Sequence, residues 1–247
     1  MARNRKWPRR VLVAVVAVLV VCCAGFGVYV SGYSHAGSTA TEAIAAGAAS
    51  DAEVKVSDEK SLIAVGDSGS EYGLVLYPGG LVEPEAYVPL AAKLARRGIF
   101  CVIPKVPFNL AFFDLSAADA AIRAYPGVAH WWVGGHSLGG VAASSWAAGN
   151  ADKIEGLALL AAYSTQDLSA LGIKVELVYG SNDGVINRES LAKSASQVDD
   201  ANVLEIAGGN HAGFGDYGEQ DGDGETTISA DEQQEIAADA IAAAMLS

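Results

Sequence analysis

Past residue 30 the chain is short of positive charge: 11 Lys and Arg stand against 29 Asp and Glu, a balance of −18 compared with −13 for the whole chain. Such a surface repels phosphate backbones, so nucleic acid is not expected as a partner. Cysteine is scarce as well. Of three, Cys22 and Cys23 lie in an apolar N-terminal run and only Cys101 is left for the rest of the chain. That excludes a disulfide within the body, and no Cys/His spacing of a zinc site is present. There are only seven prolines, no internal repeat and no long low-complexity block apart from an Ala/Gly/Ser stretch near residue 40, while 51% of residues are hydrophobic. These features fit a packed globular domain and exclude a fibrous or disordered chain.

What positive charge there is gathers at the start: Arg3, Arg5, Lys6, Arg9 and Arg10 precede the first acid. From Val11 to Val30 no residue is charged. Twenty helical residues span about 30 Å, the thickness of a bilayer core. The expected organisation is therefore a cytoplasmic basic segment at 1–10, a transmembrane anchor or signal segment at 11–30, a flexible Ala/Gly/Ser/Thr-rich tether at 31–50 and a globular body at 51–247. Basic residues before the apolar run and none clustered after it place the body outside the cytoplasm, in a single-pass protein of the cell membrane. The alternative is a signal peptide cut within 31–40, which releases a secreted body.

In the body, short apolar runs alternate with helical patterns, as expected for a mostly parallel central sheet with helices on both faces. Strands are expected at Leu62–Val65, Gly73–Tyr77, Ile99–Ile103, Trp131–Gly134, Gly156–Ala161, Lys174–Tyr179 and Val203–Ile206. Helices are expected from Pro84 to Arg97, from Leu138 to about Ala148, and from Ser229 towards Met245. Ser229 and Glu232 form a capping-box pattern at the start of the last one.

The strongest local signal is Gly134-Gly135-His136-Ser137-Leu138-Gly139-Gly140, a G-x-S-x-G between a strand and a helix. At so sharp a turn, side chains two residues either side of the serine collide with neighbouring elements, and Gly135 and Gly139 remove that collision. On this motif and its context the body resembles the α/β-hydrolase superfamily, and within it a compact bacterial, dienelactone-hydrolase-like branch, over about residues 60–247. The resemblance implies a Ser-acid-His order along the chain; the sharp turn itself implies a strained nucleophile elbow at Ser137, and no insertion is large enough for a separate cap domain. It names no substrate, since many chemistries share the scaffold.

A serine hydroxyl needs a base within reach. Of the four histidines, His35 lies in the tether, His130 begins its strand at the end opposite the elbow, and the turn directs His136 away from Ser137. His211, directly after the last strand, is left, and the resemblance places the base there. Asp183, in Gly180-Ser181-Asn182-Asp183-Gly184, stands at the superfamily's usual acid position, with Asp167 in reserve. The oxyanion donors are expected to be the N–H of Leu138 and, from Tyr77-Pro78-Gly79-Gly80-Leu81, that of Gly80, with Leu81 as second choice. Pro78 stands where the superfamily often has His.

Residues 221–232 imitate a calcium loop with acids at positions 1, 3, 5 and 12, but Thr226 occupies the position that requires Gly, and Glu232 is better explained by the helix cap. No metal or organic cofactor is assigned. Phe108, Phe112 and Phe113 are expected near the sheet's ligand-binding edge, either lining an acyl pocket or packed under a helix. The expected activity is hydrolysis of a small-molecule carboxylic ester through an acyl-enzyme, with Ser137, His211 and Asp183 as the triad. A thioesterase, lactonase, lipase or peptidase uses the same apparatus, and a non-catalytic surface binding module is the alternative from a different class.

Overall fold

The computed structural model describes residues 9–197 and 201–247, so residues 1–8 of the expected basic segment lie outside the described residues. The chain divides into two compact units, one ending at Tyr33 and the other covering Ser34–Ser247. In the first, helix α1 runs over Arg9–Ser31. Its portion Val11–Ser31 is long and apolar enough to cross a membrane, a test that a signal sequence also passes. A helix is the form in which such a run satisfies every backbone donor and acceptor without water.

The second unit is an eight-stranded sheet in the order β1-β2-β4-β3-β5-β6-β7-β8. Its strands are β1 (Val56–Asp58), β2 (Leu62–Val65), β3 (Tyr72–Tyr77), β4 (Ile99–Pro104), β5 (His130–His136), β6 (Gly156–Leu160), β7 (Lys174–Gly180) and β8 (Asn202–Ile206). β1 and β2 pair antiparallel, as do β2 and β4, and all other pairs are parallel. All seven expected strands are present. β1 was not expected: only Val56 of its three residues is buried, so its own sequence carries no strand pattern.

Alternate residues of the central strands feed two separate cores. Leu74 and Leu76 of β3, with Ile99, Cys101 and Ile103 of β4, pack on one face with α3 (Val88–Arg96) and α7 (Ala230–Met245). Val75, Tyr77, Phe100 and Val102 pack on the other face with α4 (Ala117–Ala124), α5 (Leu138–Ala147) and α6 (Arg188–Ala195). Burial on both faces is why these strands read as continuous apolar runs. The helix expected from Pro84 begins as a 3-10 turn, Pro84–Tyr87, before α3. At α7 the Ser229 hydroxyl accepts from the Glu232 N–H at 3.1 Å, the first half of the expected box.

The expected flexible tether at 31–50 is corrected by the structure. Residues from Ser34 onward belong to the folded unit, and α2 spans Ser38–Gly47 with Ala40 and Gly47 buried. Ser34 forms a parallel bridge with Val82, and Glu83 accepts from the Ala36 N–H at 2.8 Å. Gly37, at the helix start, has no side chain to cap it. Asp216 does so from across the fold, its backbone oxygen accepting from Gly37 N–H and its carboxylate from Ala40 N–H, both at 2.7 Å.

The order of the strands positions the site. The connection leaving β3 through α3 packs on one face of the sheet and the one leaving β5 through α5 on the other, while β3 and β5 are neighbours. The segments that follow these two strands therefore diverge and open a crevice at their C-terminal ends, the place where open α/β sheets bind ligands.

Candidate active site

Ser137 stands at the turn between β5 and α5 with φ 51° and ψ −123°, a backbone conformation that L-residues rarely adopt. The turn is held from both sides: Ser137 N–H donates to Leu160 O on β6 at 2.9 Å, and Ser137 O accepts from Gly140 and Val141 N–H at 3.0 and 3.2 Å. A Cβ on Gly135 would lie 2.4 Å from Gly139 C, and one on Gly139 would lie 2.3 Å from Pro78 O. Backbone meets backbone at both positions, so the collision expected from the motif is a physical one.

Asp183 follows β7 and His211 follows β8, and they are 5% and 1% exposed. His211 Nδ1 and Asp183 Oδ2 are 2.9 Å apart. The other carboxylate oxygen accepts from the N–H groups of Val185 and Ile186 at 2.9 and 2.8 Å, which fixes the plane of the acid. With Nδ1–H donated to Asp183, a neutral imidazole presents its lone pair at Nε2, and Nε2 is buried without a hydrogen-bond partner. Ser137 Oγ and His211 Nε2 are not hydrogen-bonded to each other here, and such bonds are often formed only with substrate in place. His211 nevertheless sits beside the elbow: its ring lies 4.7 Å from that of His136, the residue preceding Ser137.

One residue that sequence reasoning weighed only as a calcium ligand holds the acid and base loops together. Asp223 Oδ1 accepts from the N–H groups of Gly184 and His211, both at 3.1 Å, and from its neighbour Gly224 at 2.8 Å. Its Oδ2 accepts from Ala212 N–H at 2.9 Å. Gly184 is adjacent to Asp183, so one carboxylate grips both loops. Gln233, fully buried on α7, braces the same segment by accepting from Asn210 N–H and donating to Asn210 O. Among the described residues, no group of three or more His, Cys, Asp or Glu is placed to hold a metal ion.

The loop after β3 lies against the elbow. A Cβ on Gly80 would be 2.8 Å from Leu138 Cδ2 and 3.6 Å from Leu110 Cδ2. Gly79 N–H donates to Tyr87 Oη at 2.9 Å and Leu81 N–H donates to Asn109 O at 2.8 Å. Both of those donors are therefore spent, which removes Leu81, whereas the N–H groups of Gly80 and Leu138 make no hydrogen bond within the described residues.

The remaining candidates fall elsewhere. Asp167 turns its carboxylate onto Ser169, accepting from its N–H at 2.9 Å and its hydroxyl at 2.7 Å. These bonds hold it below the usual carboxylate range, and it is a local turn residue. His130 stacks on Tyr72 and pairs with Glu155, and His35 pairs with Glu83. Phe108, Phe112 and Phe113 are not packed under a helix: they lie on two 3-10 turns and are 51%, 47% and 54% exposed, while Leu110 and Ala111 between them are buried.

A family model described as "Alpha/beta hydrolase family" matches residues 73–235, which contain every residue of this site. The chain belongs to the alpha/beta hydrolase family. No curated protein matches the hydrolase, but solved structures do. The esterase domain of a Rhodothermus marinus protein is 13% identical with a TM-score of 0.56, over 77% of this chain and 97% of that one. A thioesterase domain from the curacin biosynthetic pathway is 14% identical with a TM-score of 0.53, over 79% and 99%. A proposed dienelactone hydrolase from Klebsiella pneumoniae is 15% identical with a TM-score of 0.55, over 75% and 92%. At these identities the likeness is one of fold.

Proposed function

We propose that the hydrolase cleaves carboxylic esters of small molecules through an acyl-enzyme, with Ser137 as nucleophile, His211 as base and Asp183 as the acid that orients it. The observation that supports this reading is the buried Asp183–His211 pair, which has one unpartnered nitrogen and whose imidazole lies 4.7 Å from that of His136, the residue preceding a strained serine. Ser137 Oγ attacks the substrate carbonyl carbon while His211 Nε2 takes the hydroxyl proton. Asp183, already bonded to Nδ1–H, stabilises the imidazolium that forms. The negative charge on the carbonyl oxygen falls to the N–H groups of Leu138 and Gly80, one at the positive end of α5 and the other across from it. His211 then returns the proton to the leaving alcohol oxygen. A water repeats the sequence against the acyl-enzyme, giving its proton to His211 and releasing the acid and Ser137.

Reaction with a fluorophosphonate and an acyl-chain series of activated esters and thioesters tests the reading. Ser137→Ala and His211→Ala should each lower turnover by about 10⁴-fold or more, and the double variant should be little worse, because the residues act as a unit. Additive losses, or labelling that survives Ser137→Ala, would show the roles to be misassigned.

For location, the proposal is that α1 anchors the protein in the cell membrane with the body outside the cytoplasm, on the basic residues before α1 and the absence of charge along Val11–Val30. Protease added to cells whose outer barriers have been opened should digest the body. Persistent protection would reverse the orientation.

A further inference from the structure

His136 precedes the nucleophile, is 1% exposed and is not used by the chemistry above. Its Nε2 lies 3.0 Å from the backbone oxygen of His211, and its Nδ1 lies 2.9 Å from Tyr87 Oη. Tyr87 is fully buried and accepts from Gly79 N–H at 2.9 Å. The protons of this chain can be assigned without ambiguity. A carbonyl oxygen only accepts, so Nε2 carries the hydrogen; in a neutral imidazole Nδ1 is then the acceptor. Tyr87 must donate its hydroxyl proton to Nδ1, which leaves its oxygen to accept from Gly79. Every donor points the same way, from Gly79 through Tyr87 and His136 to the carbonyl of His211.

The two ends of this chain matter. Gly79 adjoins Gly80, the proposed oxyanion donor, and His211 is the proposed base. These residues lie on loops after β3 and β8, at non-neighbouring positions in the sheet, and the direct backbone bond between the two connections, from Asp216 N–H to Ala86 O at 2.8 Å, lies seven residues beyond Gly79 and five beyond His211. We propose that His136 and Tyr87 are positioning residues that lock the oxyanion loop and the base into one frame, an inference that rests on the serine mechanism above.

The surroundings keep the chain neutral. Burial and the adjacent His211 ring hold the His136 imidazole well below its ordinary range, and burial pushes the Tyr87 hydroxyl up. The rings facing His136 are those of Tyr87, His211, Phe214 and Tyr217, at centroid distances of 5.7, 4.7, 5.8 and 6.3 Å. Of the acids bonded to His211, Asp183 is turned onto its Nδ1 and Asp223 accepts from its backbone N–H. A charged His136 would put a proton on Nδ1, and the Tyr87 hydroxyl hydrogen would lose that acceptor in a buried site.

The test uses full-length protein in detergent micelles and follows the rate of phosphonylation by a fluorophosphonate, together with kcat and KM on an activated ester. Tyr87→Phe removes one oxygen atom and opens both of its bonds. It should slow phosphonylation and kcat by about 10–100-fold, the scale of a small misplacement of reacting groups, with KM within about threefold. His136→Leu should do the same, His136→Gln, which keeps a donor towards His211 O, should recover part of the loss, and Tyr87→Phe combined with His136→Leu should be little slower than either alone. Tyr87→Phe is the arm that decides if His136→Leu does not fold. Wild-type rates in a folded Tyr87→Phe protein, or losses that multiply in the double variant, overturn the positioning role while leaving the serine mechanism intact. Labelling that is absent in the wild type, or unchanged in Ser137→Ala, overturns the serine mechanism and this role with it.

Discussion

Replacing Ser137 by glycine should remove activity and stabilise the fold, whereas replacing it by alanine should remove activity alone. At φ 51° and ψ −123° the Ser137 Cβ is held in a region that glycine enters freely and other residues enter at a cost of roughly 1–3 kcal/mol. Glycine also gives the unfolded chain more freedom, which offsets about 0.4–1 kcal/mol of the relief. The Ser137 hydroxyl makes no hydrogen bond within the described protein, so little is lost with it. Ser137→Gly should therefore exceed Ser137→Ala by about 0.5–2 kcal/mol, or about 1–8 °C in melting temperature for a chain of this size. Urea titration followed by tryptophan fluorescence is suited to the measurement, because Trp131, Trp132 and Trp146 are all buried in the body. The midpoint should rise with an unchanged slope. Equal stability of the two variants would refute the claim that the elbow stores strain, and with it the account of why a serine is kept in this conformation.

His136, held neutral in the fold by burial and the adjacent His211, refuses a proton that the unfolded chain accepts. The stability this confers is fully present above the unfolded value of about 6.5 and is lost as pH falls through the depressed folded value, by up to about 1.4 kcal/mol per pH unit. His136→Gln should flatten this limb between pH 7 and 5 in urea titrations; an identical pH dependence in the two proteins would contradict the assignment. Asp223→Ala should cost about 2–4 kcal/mol, because four backbone N–H groups lose a charged acceptor at a partly exposed site. It should also lower kcat more than it raises KM, as the Asp183 and His211 loops lose their common staple; wild-type stability and kcat would show that Asp223 is not that staple. Gly139→Ala should fail to fold or lose activity, since its Cβ would lie 2.3 Å from a backbone oxygen, and an active, stable variant would show that the elbow can relax.

Much of this protein is written in short stretches of sequence. The seven expected strands were legible because burial on both faces makes each a local apolar run, and α5 and α7 because their starts and periodicity are local. The elbow was legible for the same reason, since its glycines are required within two residues of Ser137. The positions of Asp183 and His211 followed from strand ends, and the contact between them, at 2.9 Å, is supplied by the pairing of β7 with β8.

Other features have their causes elsewhere in the chain. α2 was read as a tether because residues 31–50 are rich in Ala, Gly, Ser and Thr and hold little to pack; the carboxylate that ties its first turn to the fold belongs to Asp216. α6 is short and polar and was not expected, although Asn187 caps it, accepting from Ser190 N–H at 2.8 Å. β1 exists through its register with β2, Val56 opposite Val65. Asp223 stood out in the sequence only as part of an incomplete calcium-loop pattern, and the four N–H groups that converge on it are brought together by the fold. His136 was set aside as a base, and its partners Tyr87 and the His211 carbonyl lie 49 and 75 residues away in sequence. Side-chain periodicity is a property of neighbours, so the sequence alone determined seven of the eight strands and the elbow. A buried backbone or imidazole N–H takes whatever acceptor the folded chain brings within 3 Å, so only the tertiary structure decided which carboxylates hold the loops and what the second buried histidine does.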